Sequence, residues 1–149
     1  FGCELWALDD RAVDEFCIAW RKSVRRILDI PHNSHSFLLP VLSDSLPIFD
    51  EICKRSSRFI VSCLFCPSWL VNSIVWYGVL LGRYNSVVGR NALICCERYG
   101  WELNDFVMGS VNLSKHCFAM YCDSKLTQSD KSTIVSTFEM LCLRGDISH

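Results

Sequence analysis

Two histidines three residues apart, His32 and His35, lie in the segment IPHNSHS at 30–36. Imidazoles at that spacing can ligate zinc. A structural zinc takes about four ligands, however, and no cysteine or acidic pair lies nearby at zinc-finger spacing. The simpler reading is a turn between helices in which Ser34 or His35 hydrogen-bonds loose backbone groups. A second candidate is the C-x-x-C of Cys63 and Cys66, a weak signal without a paired second copy. Cys117 and Cys122 follow His116 but do not repeat that spacing. A small zinc-binding module drawing on Cys63, Cys66, His116, Cys117 or Cys122 therefore stays open as an alternative. A redox role for the pair lacks the preceding strand and βαβ setting. Asp9 and Asp10 form an acidic pair, but they precede a helical pattern and read as capping and dipole complement. The chain contains no G-x-S-x-G, P-loop, H-E-x-x-H or G-x-G-x-x-G. No catalytic residue is assigned.

The positive signal is basic. Arg21, Lys22, Arg25 and Arg26 fall within about a turn and a half of helix. Lys54, Arg55 and Arg58 follow on the next helical pattern. Such faces suit phosphates, because each neutralised phosphate releases counterions. They grip backbone and do not read bases. The competing reading is a solvated face, which any amphipathic helix must have. The net charge of −1 does not decide between them, since the patch governs binding and the total does not.

The elements that must carry these residues are helical. Over 10–30, Val13, Phe16, Cys17, Trp20, Val24, Ile27 and Leu28 recur at spacings of three and four. Pro31 stops that helix. Residues 31–46 form a connection with a short turn at 37–42. A second helix starts near 45–47 with Pro47 in its first turn and runs to about 65. Ile48, Phe49, Ile52, Phe59, Ile60 and Cys63 line one side, with Lys54, Arg55 and Arg58 on the other. Residues 68–80 form a third helix, apolar on nearly all faces, so it is central or covered by further chain. A break follows at 82–89, then a helix over 91–99 with Gly100 as its C-cap. Residues 101–128 are ambiguous. A last helix spans 130–144, with Asp130 as N-cap, a stripe of Ile134, Val135, Phe138, Leu141 and Cys142, and Gly145 at its end. The fold class is mainly α, a helical bundle.

At 149 residues, half of them hydrophobic, the chain can bury a core. Its ten cysteines sit mostly among Ile, Val and Phe, where a free thiol behaves as a small hydrophobe. A reducing compartment, cytoplasm or nucleus, is expected. The chain opens on Phe1 inside an apolar run, which reads as a piece of a longer reading frame. No signal peptide is visible. The most apolar stretch, 69–81, is broken by Asn72, Ser73 and Gly78 and is too short to span a bilayer, so no membrane is expected as a partner.

The order of several short motifs is more specific than any one of them. FGCELW at 1–6, WRKSVRR at 20–26, IPHNSH at 30–35, Leu38-Leu39-Pro40, Leu46-Pro47-Ile48 and RSSRF at 55–59 appear in that order. The series resembles the region just after the polymerase palm in non-LTR (LINE-type, jockey-like) retrotransposon reverse transcriptases. Ser34, Ile30 and Phe1 stand where that group has Thr, Leu and Tyr. The likeness is good over 1–66. Beyond that it is confined to RYG at 98–100 and LCLRGD at 141–146, whose Gly and Asp are in altered order.

The resemblance implies a thumb-like basic helical region at 1–66 and a C-terminal helical region at 67–149. The thumb-like helices would hold the backbone of an RNA/DNA template-primer through Arg21, Lys22, Arg25, Arg26, Lys54, Arg55 and Arg58. His35 would occupy a structural turn and His32 would be incidental. The catalytic carboxylates and their Mg would belong to a palm upstream of Phe1, the expected protein partner. The stretch itself would be inert and carry no cofactor. The alternatives from other classes are the zinc module above and a helical protein-interaction module docking through 69–81.

Overall fold

A computed structural model describes residues 2–82 and 84–144. A single 3-10 turn, Cys3–Leu5, precedes α1 (Arg11–Ile27), α2 (Leu38–Leu42), α3 (Ile48–Leu64), α4 (Trp69–Leu80), α5 (Val87–Tyr99), α6 (Leu103–Val107), α7 (Lys115–Ser124) and α8 (Gln128–Arg144). No strand occurs among the described residues. The fold is the expected helical bundle. The expected stop at Gly145, the Gly-Asp close of the last motif and Phe1 of the first lie outside the described residues.

The helix ends follow side-chain chemistry. Asp10 caps α1, its carboxylate accepting from the Ala12 N–H at 2.8 Å. Asp9 instead pairs with Arg90 at 3.0 Å. α1 ends in a Schellman motif: Ile30 N–H donates to the Arg25 carbonyl and Asp29 N–H to that of Arg26. Asp29 takes the left-handed position, φ 50°, normally given to glycine. Pro47 is the N-cap of α3 and not part of its first turn. α5 begins at Val87 and not at 91, because Ser86 caps it by accepting from Gly89 N–H at 2.9 Å. Gly100 closes α5 at φ 69°, as expected. Asp130 is not the N-cap of α8. Thr127 is, and Asp130 closes a capping box in which each side chain accepts from the other's backbone N–H, at 2.8 and 3.1 Å. The ambiguous stretch resolves into α6 and α7.

α3 is the hub. It packs against the N-terminal turn and α1, α4, α5, α6 and α7. One core joins Leu8, Val13, Cys17, Leu46, Ile52 and Cys53 with Cys95 and Phe118. The other joins Ile60 and Leu64 with Val75, Val79, Ala92, Cys96, Phe106 and Val107. Trp101 packs on both. Each core draws residues from both sides of residue 66.

The expected stripe of α1 is buried only at Val13 and Cys17, while Phe16 and Ile27 are exposed. Phe16 meets Trp6 edge-on at 5.1 Å. Ile27 opens onto a groove of about 350 Å³ shared with Val41, Leu42, Phe138 and Leu141. α4 is not central. Val75, Gly78 and Val79 are buried against the second core, while Trp69, Leu70, Ile74, Tyr77 and Leu81 face outward. Its inner face is fixed by two side-chain bonds to backbone. The Asn72 amide donates to the Leu64 carbonyl at the end of α3. The Ser86 hydroxyl donates to the Gly78 carbonyl at 2.9 Å.

Candidate nucleic-acid interface

The C-terminal half of α1 and the loop after it form a basic concavity. Lys22, Arg25, Arg26 and His32, with Asp29 and Ile30, line a space of about 300 Å³. Lys22 and Arg26 are exposed. Arg25 is half-buried, and its Nη2 donates both to the Ser34 carbonyl at 2.8 Å and to the Ser36 hydroxyl at 3.1 Å. The loop is therefore held by Arg25 and not by the side chains of Ser34 or His35. His35 stacks on Phe37 at 5.1 Å. His32, set aside in the sequence reading, is the imidazole that joins the cations. Its position after a helix-ending proline is the only sequence signal for that.

Arg21 points elsewhere. It lines a separate space of about 250 Å³ with Trp20, Phe49, Asp50 and Arg98. The second basic set is taken up by partners within the chain. Lys54, expected on the solvated side of α3, is only 8 % exposed and binds Glu51 at 2.5 Å. α3 is covered around more of its circumference than an edge helix, and Lys54 falls under that cover. Arg55 binds the other Glu51 oxygen at 3.0 Å. Burial alone would raise the Glu51 carboxyl. The hydrogen bonds and charges of Lys54 and Arg55 outweigh it and hold the group below the usual carboxylate range. Arg58 is exposed, yet its Nε donates to the Leu113 carbonyl at 2.8 Å. None of these three lines the α1 concavity.

Sequence reasoning missed the polar centre that ties α3 to α5. Asp50, 2 % exposed, accepts from Arg98 Nε at 2.9 Å, Arg98 Nη2 at 3.2 Å and the Tyr99 hydroxyl at 2.7 Å. The Arg98 guanidinium also lies 5.0 Å from the centroid of Phe49 and 5.6 Å from that of Tyr121. Burial would lower the Arg98 pKa, but Asp50 more than offsets it and raises it. Burial, with Cys53 and Asp50 beside it, raises the Tyr99 phenol. Burial and then Asp50 push the Cys122 thiol up to about 12. The RYG noticed at 98–100 is thus a structural unit: two donors to one carboxylate, then the αL residue that ends the helix. Asn91, also buried, straps the N-terminal segment down, accepting from Leu8 N–H at 2.9 Å and donating to the Trp6 carbonyl at 2.7 Å.

The zinc alternative is not assembled. Among the described residues no three His, Cys, Asp or Glu side chains gather as a metal site. Cys63 and Cys66 lie at the end of α3, whereas His116, Cys117 and Cys122 lie on α7. All ten cysteines are free thiols. Among the described residues no helix is long and apolar enough to cross a membrane.

No protein-family model, curated protein or solved structure matches the chain.

Proposed function

We propose that the chain is the thumb and C-terminal helical part of an RNA-directed DNA polymerase of the non-LTR retrotransposon type, holding the sugar-phosphate backbone of an RNA/DNA template-primer. The observation that carries this reading is the concavity at the end of α1, where Lys22, Arg25, Arg26 and His32 converge around one acid, Asp29. The ordered motif series supports it independently. The contact set is narrower than the basic residues of the sequence: Lys22 and Arg26 with Arg25 and His32, while Arg21 lines a separate space and Lys54 and Arg55 serve Glu51. The chemistry and its magnesium belong to the palm, the proposed protein partner. The ten free thiols suit the reducing interior of a cell, cytoplasm and nucleus.

The test is binding of an RNA/DNA duplex across a salt titration. With three or four cations engaged, log affinity should fall with log salt at a slope of about −3. Lys22→Glu with Arg26→Glu should weaken all sequences alike and flatten that slope. Salt-independent binding, or none by folded protein, overturns the reading. A second reading, a helical protein-interaction module, draws on the open apolar face of α4.

A further inference from the structure

The outward face of α4 has a pattern of its own. Leu70, Ile74, Tyr77 and Leu81 follow one another at spacings of four, three and four. At about 100° per residue they fall within a sector of roughly 60°. Val75 and Val79, which enter the second core, lie on the opposite side. The four seam residues are all exposed, Ile74 by 62 % and Leu81 by 76 %. Trp69 and Val71 border the seam and are exposed as well. A 4-3-4 seam is the a/d spacing by which one helix packs lengthwise on another. An ordinary surface helix shows water its polar face, and this one shows its most apolar residues.

We propose that this face pairs with the same face of a second copy of the chain, α4 against α4 across a two-fold axis. The inference rests on reading α4 as a docking surface and names the occupant. Three observations select a second copy. The seam is complementary to itself, because a two-fold axis lays a and d positions on a and d positions. Its area is sufficient. An aromatic side chain offers roughly 150–250 Å², so Trp69 and Tyr77 with the four aliphatic residues present on the order of 700 Å², near the roughly 800 Å² per partner of a standard interface. The contact is also neutral: no charged residue occurs from 59 to 82. Two copies therefore bring no like charges together, and nothing in the face favours a charged partner.

Analytical ultracentrifugation of the full chain over a hundredfold concentration range tests this. Wild-type protein should pass from one chain mass to two. Ile74→Glu and Leu81→Glu, which put charge on the open side of α4 and leave Val75 and Val79 in place, should each raise the dimer Kd at least a hundredfold with helical circular dichroism unchanged. Ile18→Glu, on exposed α1, should leave it unchanged. A wild-type monomer throughout, or a dimer untouched by both α4 variants, overturns the proposal. A monomer that binds neutral phosphatidylcholine vesicles, and loses them with Ile74→Glu, gives the face to lipid instead. A monomer that binds neither overturns the docking reading of α4 as a whole. The α1 cations are intact in every variant, so the outcome is independent of nucleic-acid binding.

Discussion

Arg98 grips Asp50 with two nitrogens, at 2.9 and 3.2 Å, from a helix 48 residues further along the chain. The carboxylate is almost wholly buried, so removing its partner strands a charge. Arg98 itself is 36 % exposed, and water screens part of the interaction. Arg98→Ala should therefore cost about 2–3 kcal/mol, below the range for fully buried pairs. A thermal melt should fall by roughly 5–10 °C. Tyr99→Phe, which removes one neutral donor, should cost about 1 kcal/mol.

Neighbouring arginines on α1 should separate by role. Arg25→Ala frees the loop at 31–36, and hydrogen exchange at Ser34, whose N–H donates to the Pro31 carbonyl at 3.0 Å, should quicken. Arg26→Ala should leave that amide protected, because the exposed Arg26 side chain forms no hydrogen bond to the loop. Duplex affinity should drop in the Arg26 variant with no change in melting temperature. Equal loop protection in the two variants would remove the distinction.

Asp29 offers a test with two readouts. Its left-handed backbone, φ 50°, strains an L residue, and it is the one acid in the basic concavity. Asp29→Gly should relieve strain by about 1 kcal/mol and raise the melting temperature. The same change should tighten duplex binding at low salt and lose that gain at high salt. Stabilisation without tighter binding would place Asp29 in the fold alone.

Alkali should unfold the protein earlier than its exposed groups suggest. Burial, with Cys95 beside it, pushes the Cys96 thiol up to about 12, and Cys122 is raised to about 12 as well. Both ionise near 9.0 in a free thiol. Between those values the folded chain keeps protons that the unfolded chain releases, so stability falls as pH rises. It is fully present below about pH 9, and each thiol removes about 1.4 kcal/mol per pH unit across the window. Urea midpoints measured from pH 7 to 11 should be flat and then decline. Cys96→Ala should make the decline shallower.

The sequence was most informative where periodicity and punctuation agreed. Pro31, Gly100 and the apolar spacing of α3 located helices, because each acts within a few residues. It was least informative where partners lie far apart in the chain. Nothing near Lys54 announces that α3 is the hub and that its solvated side is narrow. Nothing near Asp50 announces Arg98 and Tyr99, 48 and 49 residues on. The basic site was legible in composition but not in allocation. Seven cations were candidates, yet Glu51 takes two, the Leu113 carbonyl one and the 31–36 loop one. Asp130 shows the same limit at short range, since Thr127 and Asp130 both satisfy a capping pattern and only geometry says which residue begins the helix.

Trp101 touches both cores, stacking on Phe106 at 6.0 Å and meeting Phe118 edge-on at 5.6 Å. One indole thereby serves as a hinge pin between two hydrophobic masses that α3 and α5 also share. Loosening either mass deprives the other of a wall, so neither half can melt ahead of its neighbour. The two cores should melt in one all-or-none step, and severing the chain near residue 66 should leave two insoluble pieces.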